Sequence, residues 1–488
     1  AIMKEFGNFF DKASREPIGQ FKTYVIKANG DEGRLTAIRQ LLDRNLIRYG
    51  KAEKALKVTG FDYISQKTEK NVSVEAEDLV ISAYQPKSTL LKILFEPKSA
   101  LEDSATYDIT AWALPYAYGL QTYGLTTRIN PVAYVAPAPA MTTPTTSPQP
   151  YAYLAKWQSL PSVQLLAGLL KQSVKVRVNE KPFELEGQTY PAGTLLITRA
   201  GNERIPGFDA LVQTEAGRVN QRLTPVQSGF VTKGSDFGSE FVMALTAPHV
   251  GVIVGDATTA TAVGEIWHYF DQDLNYPVTL IDGNALGNVN WSTLDVLVLP
   301  TGYGYGRIMT DRNLTVVKEW VRAGGKLIAM ERAAAFLAGK PEFELKQKET
   351  KDDKKSDPKK NPTDSLKRYE DRERTALSDE TPGSIYRISL DTTHPLAFGI
   401  TNDYYTLVQE AHNFDLLKDG WNVGYLKTNN YVAGFAGKNA KDKLRNTLSM
   451  GVQSLGRGTV VYLADDPLFR GFWYSGKLLF GNAVFMVP

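Results

Sequence analysis

Four short, almost uninterrupted apolar segments constrain this chain more than any other feature: "HVGVIVG" (249–255), "PVTLID" (277–282), "DVLVLP" (295–300) and "KLIAM" (326–330). A strand with no polar alternation is buried on both faces, and that is the habit of parallel sheets. The segments between them are helical. One helix surrounds Gly264–Phe270, and another carries Leu314, Val317, Trp320 and Val321 on one face. Strands alternating with helices predict a parallel sheet covered on both sides, with right-handed crossovers. Any ligand should then sit beyond the carboxyl ends of the strands.

The tightest connection is in "GGKLIAMERAAAFL" (324–337), where a strand gives way to a helix almost without a loop. In sheet enzymes such a bend lifts a nucleophile above the sheet. Here the bend falls on Glu331 or Arg332, which suit a helix start or a local ion pair. The preceding loop, "PTGYGYGR" (300–307), has glycines that allow close backbone approach to a small polar ligand or simply a packed turn. Tyr303, Tyr305, Glu331 and Arg332 are therefore the candidate binding residues of a carboxyl-edge cleft.

Upstream, "APAPAMTTPTTSPQP" (136–150) is a Pro/Thr-rich joint that suits neither helix nor central strand. Before it come a strand "FKTYVIK" (21–27), a helix marked by Leu35, Ile38, Leu42 and Leu46, and a buried strand "EDLVISAYQP" (77–86). The same order returns after it in "YAYLAKW" (151–157), the helix of Val163, Leu166, Leu169 and Leu170, and "GTLLITRAG" (193–201). Two related β-α-β modules are expected, a weak internal repeat. The resulting division is an N-terminal helix (1–18), a first module (19–135), the joint (136–150), a second module (151–245) and the parallel-sheet domain (246–488). That domain carries a charged insertion at 341–380. Its stretch "KQKETKDDKKSDPKKNPTDSLKRYEDRER" (346–374) has too few apolar residues to form a core and reads as a solvated excursion. The fold class expected is multidomain α/β, with two β-α modules followed by a flavodoxin-like parallel-sheet domain.

With 56 basic and 53 acidic residues the net charge is only +3, which points away from nucleic acid and other polyanions. No apolar run is long enough to span a membrane. The first residues, "AIMKEFGNFFDKASRE", lack an initiator Met and a signal pattern. They read as an amphipathic helix with Ile2, Phe6, Phe9 and Phe10 on one side, and the chain is expected to be a fragment of a longer protein.

Chemistry is limited by what the elbow and the composition offer. There is no cysteine, so a thiolate nucleophile, disulfides and cysteine-ligated zinc are excluded, and an oxidising compartment is tolerated. The serine elbow G-x-S-x-G is missing too. Of the four histidines, His268 with Asp271 and His412 with Asp415 stand three residues apart, but no third ligand accompanies either pair. A structural role fits them, as it fits His394 before Pro395. Near the end, Phe469, Phe472, Trp473 and Tyr474 could stack a sugar or peptide, or dock a terminal helix.

Four stretches together suggest a relationship: "SATYDITAWALPYAYGL" (104–120), "GEIWHYFDQDLNYPVTLID" (264–282), "PGSIYRISLDTTHPLAFGI" (382–400) and "DDPLFRGFWYSGKLLFGNAVF" (465–485). They resemble the C-terminal region of large secreted bacterial M14-family zinc carboxypeptidases, which ends in a class I glutamine amidotransferase-like domain. The resemblance implies a secreted or periplasmic protein associated with peptide hydrolysis. It implies an upstream zinc peptidase domain as partner, with the zinc held there and no cofactor in this chain. The peptidase's H-x-x-E zinc motif is absent from these residues, so no catalytic residue is carried over. The function expected is a non-catalytic accessory region, structural or substrate-presenting. Its alternatives are a peptide- or carbohydrate-binding module using the cleft, and an independent hydrolase.

Overall fold

In the computed structural model the described residues are 2–28, 31–98, 111–134, 149–349, 368–400 and 404–488. All but the last two residues of the Pro/Thr joint, the centre of the charged insertion and the start of the 104–120 stretch lie outside them. The architecture is multidomain α/β, built on three main sheets.

The third sheet positions the site. Its first five strands run in the order Val278–Asp282, Val250–Val254, Val296–Leu299, Lys326–Met330 and Gly458–Leu463, all parallel. The continuous apolar pattern has its expected cause: Val296–Leu299 is buried at every position, covered by helices on one face and the other. Beyond Gly458–Leu463 the sheet changes character. Thr447–Leu455, Trp421–Leu426, Ser384–Leu390 and Tyr404–Val408 extend it by antiparallel pairing, so the purely parallel sheet expected from the sequence is in fact mixed.

Each upstream module holds a β-α-β unit, but the second strand named from the sequence is inserted antiparallel within it. Thr23–Ile26 pairs antiparallel with both Leu79–Ser82 and Thr122–Leu125, and Ala152–Ala155 pairs antiparallel with Leu195–Thr198. In each case the strand reached from the helix, Gly50–Lys51 or Val176–Asn179, also pairs antiparallel with that returning strand and so runs parallel to the first, a crossover with one strand inserted in it. The first sheet gains the hairpin Leu56–Asp62 and Lys67–Val74, and the second gains Val176–Asn179, Thr224–Val226 and Val242–Leu245.

The charged insertion is narrower than its sequence suggested. Phe343 and Leu345 are in the core, and Lys348 donates its backbone N–H to Asn413 at 2.7 Å. These two apolar side chains, with the Glu344 N–H donated to Gln453 Oε1 at 2.9 Å, tie 341–349 to the sheet. On the far side, Arg372–Leu377 is a short helix.

The three sheets are not independent globules. One hydrophobic cluster runs from Phe21 and Tyr24 through Trp157 and Leu166 to Trp473 and Phe480. The C-terminal helix Tyr474–Gly481 lies in the middle of it with every residue buried. Of the terminal aromatic run, Trp112 stacks on Phe472 and Tyr118 on Tyr474, so these rings join the last helix to the first module. At the other end, helix Ile2–Arg15 leaves Ile2, Phe6 and Phe9 exposed.

Candidate functional site

Strand Lys326–Met330 ends at the carboxyl edge, and helix Arg332–Leu337 begins one residue later. The whole reversal falls on Glu331, whose backbone is at φ 46° and ψ −112°. A non-glycine residue in that region is strained, and strain of this kind concentrates at functional positions. Its N–H donates to Leu463 O at 2.7 Å, which anchors the bend to the neighbouring strand.

Register decides what surrounds it. Met330 lies opposite Leu463, so the residues that follow the two strands leave the sheet side by side. Asp465 and Asp466 thus arrive next to Glu331. Thr301, which follows Val296–Leu299 on the other side, hydrogen-bonds the Glu331 side chain, and its Oγ1 accepts the Arg332 N–H at 3.4 Å. Helix Ala260–His268 contributes Glu265, which is hydrogen-bonded to Asp466 and accepts the Arg470 N–H at 2.8 Å.

Crowding four carboxyl groups at one place changes their chemistry. Burial, and then the charges of Asp466 and Asp465, hold Glu331 protonated well above the ordinary carboxylate range. Burial also raises Glu265, reinforced by its hydrogen bond to Asp466, and raises Asp466 itself. Asp465 is pushed up to about 7 by burial. These groups are hydrogen-bond donors and acceptors more than a block of negative charge.

Arg332 forms the opposite rim. It pairs with Glu410 at 2.6 Å and lies 3.9 Å from the centroid of the Tyr303 ring, which is 80% exposed. His412 stacks on Phe414 behind Glu410, and burial followed by the Arg332 charge lowers it to about 4. The cleft between these walls is about 720 Å³, and Thr259, Thr261 and Gln409 also face it. A second cleft of about 950 Å³ lies across helix Ala260–His268, at the junction with the first two modules; Thr261, Glu265 and Arg470 border both.

Three of the four residues singled out from the sequence therefore meet in one cleft. Tyr305 does not: it is 2% exposed, and its hydroxyl donates to Pro300 O at 2.6 Å inside the core. Gly302 and Gly304 of the 300–307 loop are used for packing against their own domain. A Cβ on Gly302 would lie 2.1 Å from Ala257 O. His268 faces Asp273 rather than Asp271, and His412 faces Glu410 rather than Asp415. Among the described residues no three His, Asp or Glu side chains are grouped to hold a metal. Sequence reasoning missed Glu265, Glu410, Asp465 and Asp466. The one available signal was "ADD" directly after a buried strand.

No family model and no curated protein matches the chain. Among solved structures its neighbours include glutamine amidotransferase-like and ThuA-like folds. A protein described as a GMP synthase subunit from Thermoplasma acidophilum aligns over 49% of this chain and 92% of its own, at 10% identity and TM-score 0.30. A ThuA-like protein from Parabacteroides merdae aligns over 49% and 89%, at 13% identity and TM-score 0.31. A glutamine amidotransferase from Thermotoga maritima aligns over 46% and 76%, at 10% identity and TM-score 0.28. At such scores they carry no functional argument.

Proposed function

We propose that this chain is a non-catalytic accessory region whose amidotransferase-like domain binds a ligand at the carboxyl-edge cleft without converting it. The observation that carries the reading is Glu331. An elbow of this shape serves to present a nucleophile, and here it presents a carboxyl kept protonated by burial and by neighbouring negative charge. A protonated carboxyl donates a hydrogen bond and does not attack a carbonyl carbon. Together with the open face of Tyr303 and the polar groups of Thr259, Thr261 and Gln409, it suits a peptide backbone or a sugar. We assign the region to a secreted or periplasmic carboxypeptidase-like protein, with the zinc and the hydrolytic chemistry in a separate peptidase domain; the four stretches quoted above support this.

A thermal-shift screen of the chain with peptide and glycan panels tests the reading, because a ligand that binds the folded state raises its stability by mass action. A shift that Arg332→Ala and Tyr303→Ala abolish supports it. Turnover of an amide or glycoside substrate by the purified chain, lost in Glu331→Gln, would replace it with a hydrolase.

A further inference from the structure

The C-terminal helix Tyr474–Gly481 is buried at every position, yet one of its residues is a lysine. The Lys477 side chain is 9% exposed, and it is the most deeply buried charged group lining the cleft of about 950 Å³ between the parallel-sheet domain and the first two modules. An ammonium group carries three N–H donors. One goes to Asp273 Oδ2 at 2.7 Å, and among the described residues the group has no second acceptor. A nearly buried charge with unspent donors is costly unless something in the cleft accepts from it.

The remaining charges of the cleft favour an anion as that acceptor. Arg44, the last residue of helix Glu32–Arg44, lines it and makes no hydrogen bond or ion pair among the described residues. Arg218 and Arg470 line it as well. Arg218 is paired with Glu215 at 3.1 Å, and the Arg470 guanidinium lies 5.7 Å from the centroid of the Trp112 ring. Three acids also face the cleft, and each is already compensated. Glu32 pairs with Arg39 at 2.5 Å, and Asp273 pairs with Lys477 and has His268 Nδ1 3.8 Å from the same oxygen. Burial pushes Glu265 up to about 10, so it lines the cleft without a charge. Leu41, Val219 and Phe472, each partly buried against the core, give the same cleft an apolar flank.

We propose that this cleft is a binding site for an organic anion: a carboxylate or phosphate head accepts from Lys477 in the field of Arg44, and an apolar body lies along Leu41, Val219 and Phe472. A charged acceptor makes a shorter and stronger hydrogen bond to an ammonium group than a neutral one does. A neutral ligand of the same shape also gains nothing from Arg44. The lining comes from helices Glu32–Arg44, Leu160–Lys171 and Ala260–His268, one from each part of the molecule, so the ligand is held where these parts are joined. The site lies across helix Ala260–His268 from the carboxyl-edge cleft and does not depend on what that cleft binds.

Calorimetric titration of the full chain with N-acetylphenylalanine and with phenyl phosphate tests the site, with the uncharged amide of N-acetylphenylalanine as matched control. At least one of the two anions should bind saturably at millimolar concentration or below, and which of them binds identifies the head group. The amide should bind more weakly by about tenfold or more. Lys477→Gln should weaken the anion by about tenfold or more, and Arg44→Gln by about threefold. Arg332→Ala, in the other cleft, should leave the affinity unchanged. If Lys477→Gln does not fold, Arg44→Gln and the amide control decide. Failure of both anions to bind, an amide that binds as tightly as the acid, or binding lost in Arg332→Ala overturns the proposal. So does an anion affinity that Arg44→Gln or a folded Lys477→Gln leaves at the wild-type value.

Discussion

Across 325 residues of sequence, the indole N–H of Trp157 donates to Oδ1 of Asn482 at 2.6 Å. The amide nitrogen of the same Asn482 donates to Leu396 O at 2.9 Å and Phe398 O at 2.8 Å, and both Trp157 and Asn482 are wholly buried. One side chain therefore joins the second module, the antiparallel part of the third sheet and the C-terminal helix. Its removal leaves an indole N–H and two carbonyls without this partner in a dry interior, where each orphaned group is costly. Asn482→Ala should destabilise by about 3 kcal/mol in urea unfolding. Trp157→Phe combined with it should be less than additive, because both remove the same bond. Strict additivity would show that the contact contributes little.

Glu331 offers a way to separate backbone strain from side-chain chemistry. Glycine adopts its φ of 46° without penalty, whereas alanine at the same place keeps the strain. Glu331→Gly should therefore be more stable than Glu331→Ala by about 1–2 kcal/mol, although it is the more flexible residue. Equal stabilities in thermal unfolding would mean that the elbow relaxes once the carboxyl is gone.

Asp465 makes stability depend on pH with a definite sign. Its pKa rises from 3.8 to about 7 on folding, so its contribution is fully present below 3.8 and is lost as pH climbs to about 7. His394 and His412 work in the opposite sense. Both fall from 6.5 to about 4, so their contribution is present above 6.5 and is lost as pH falls toward 4. The two trends mask each other in the wild type, and the variant difference is the clean readout. Asp465→Asn cannot ionise, yet it still offers an oxygen to Ser449. It should gain on wild type by up to about 1.4 kcal/mol per pH unit between pH 4 and pH 7. A difference that stays flat over this window would place the Asp465 titration outside it.

The parallel strands were legible in the sequence because burial on both faces leaves a pattern with no polar residue to misread, as in Val296–Leu299. The hairpin Leu56–Asp62 and Lys67–Val74 was invisible for the converse reason. Lys67 to Asn71 are all exposed, and only Val72 and Val74 at the strand's end reach a core, so most of its length shows no apolar alternation. Thr224–Val226 was hidden by Pro225, which an edge strand tolerates. In the site, the tight spacing around Glu331 revealed the elbow directly. The acids that determine its chemistry did not show, because Asp465 and Asp466 reach it only through the pairing of Met330 with Leu463, strands far apart in the chain. Tyr303 and Tyr305 were indistinguishable as letters; one turn of backbone sends the first to solvent and the second into the core.

Gly471, at the end of segment 466–471, and Gly476, in the C-terminal helix that follows, should respond very differently to the same substitution. A Cβ on Gly476 would lie 1.9 Å from Pro467 O and 2.7 Å from its carbonyl carbon, so either the C-terminal helix or segment 466–471 must move. Gly471 has open space around its Cα and is constrained only by a φ of 68°. Gly476→Ala should cost about 3 kcal/mol, at the upper end for overpacking, since the helix is buried at every position and the segment is tied to Glu265. Gly471→Ala should cost about 1 kcal/mol, the ordinary penalty for a side chain in left-handed backbone. Because Gly476→Ala presses on the segment itself, it should also lower hydrogen-exchange protection at 466–471 at neutral pH, while Gly471→Ala leaves it protected. If both variants unfold at the same urea concentration, the clamp between Pro467 and the C-terminal helix is looser than this packing implies.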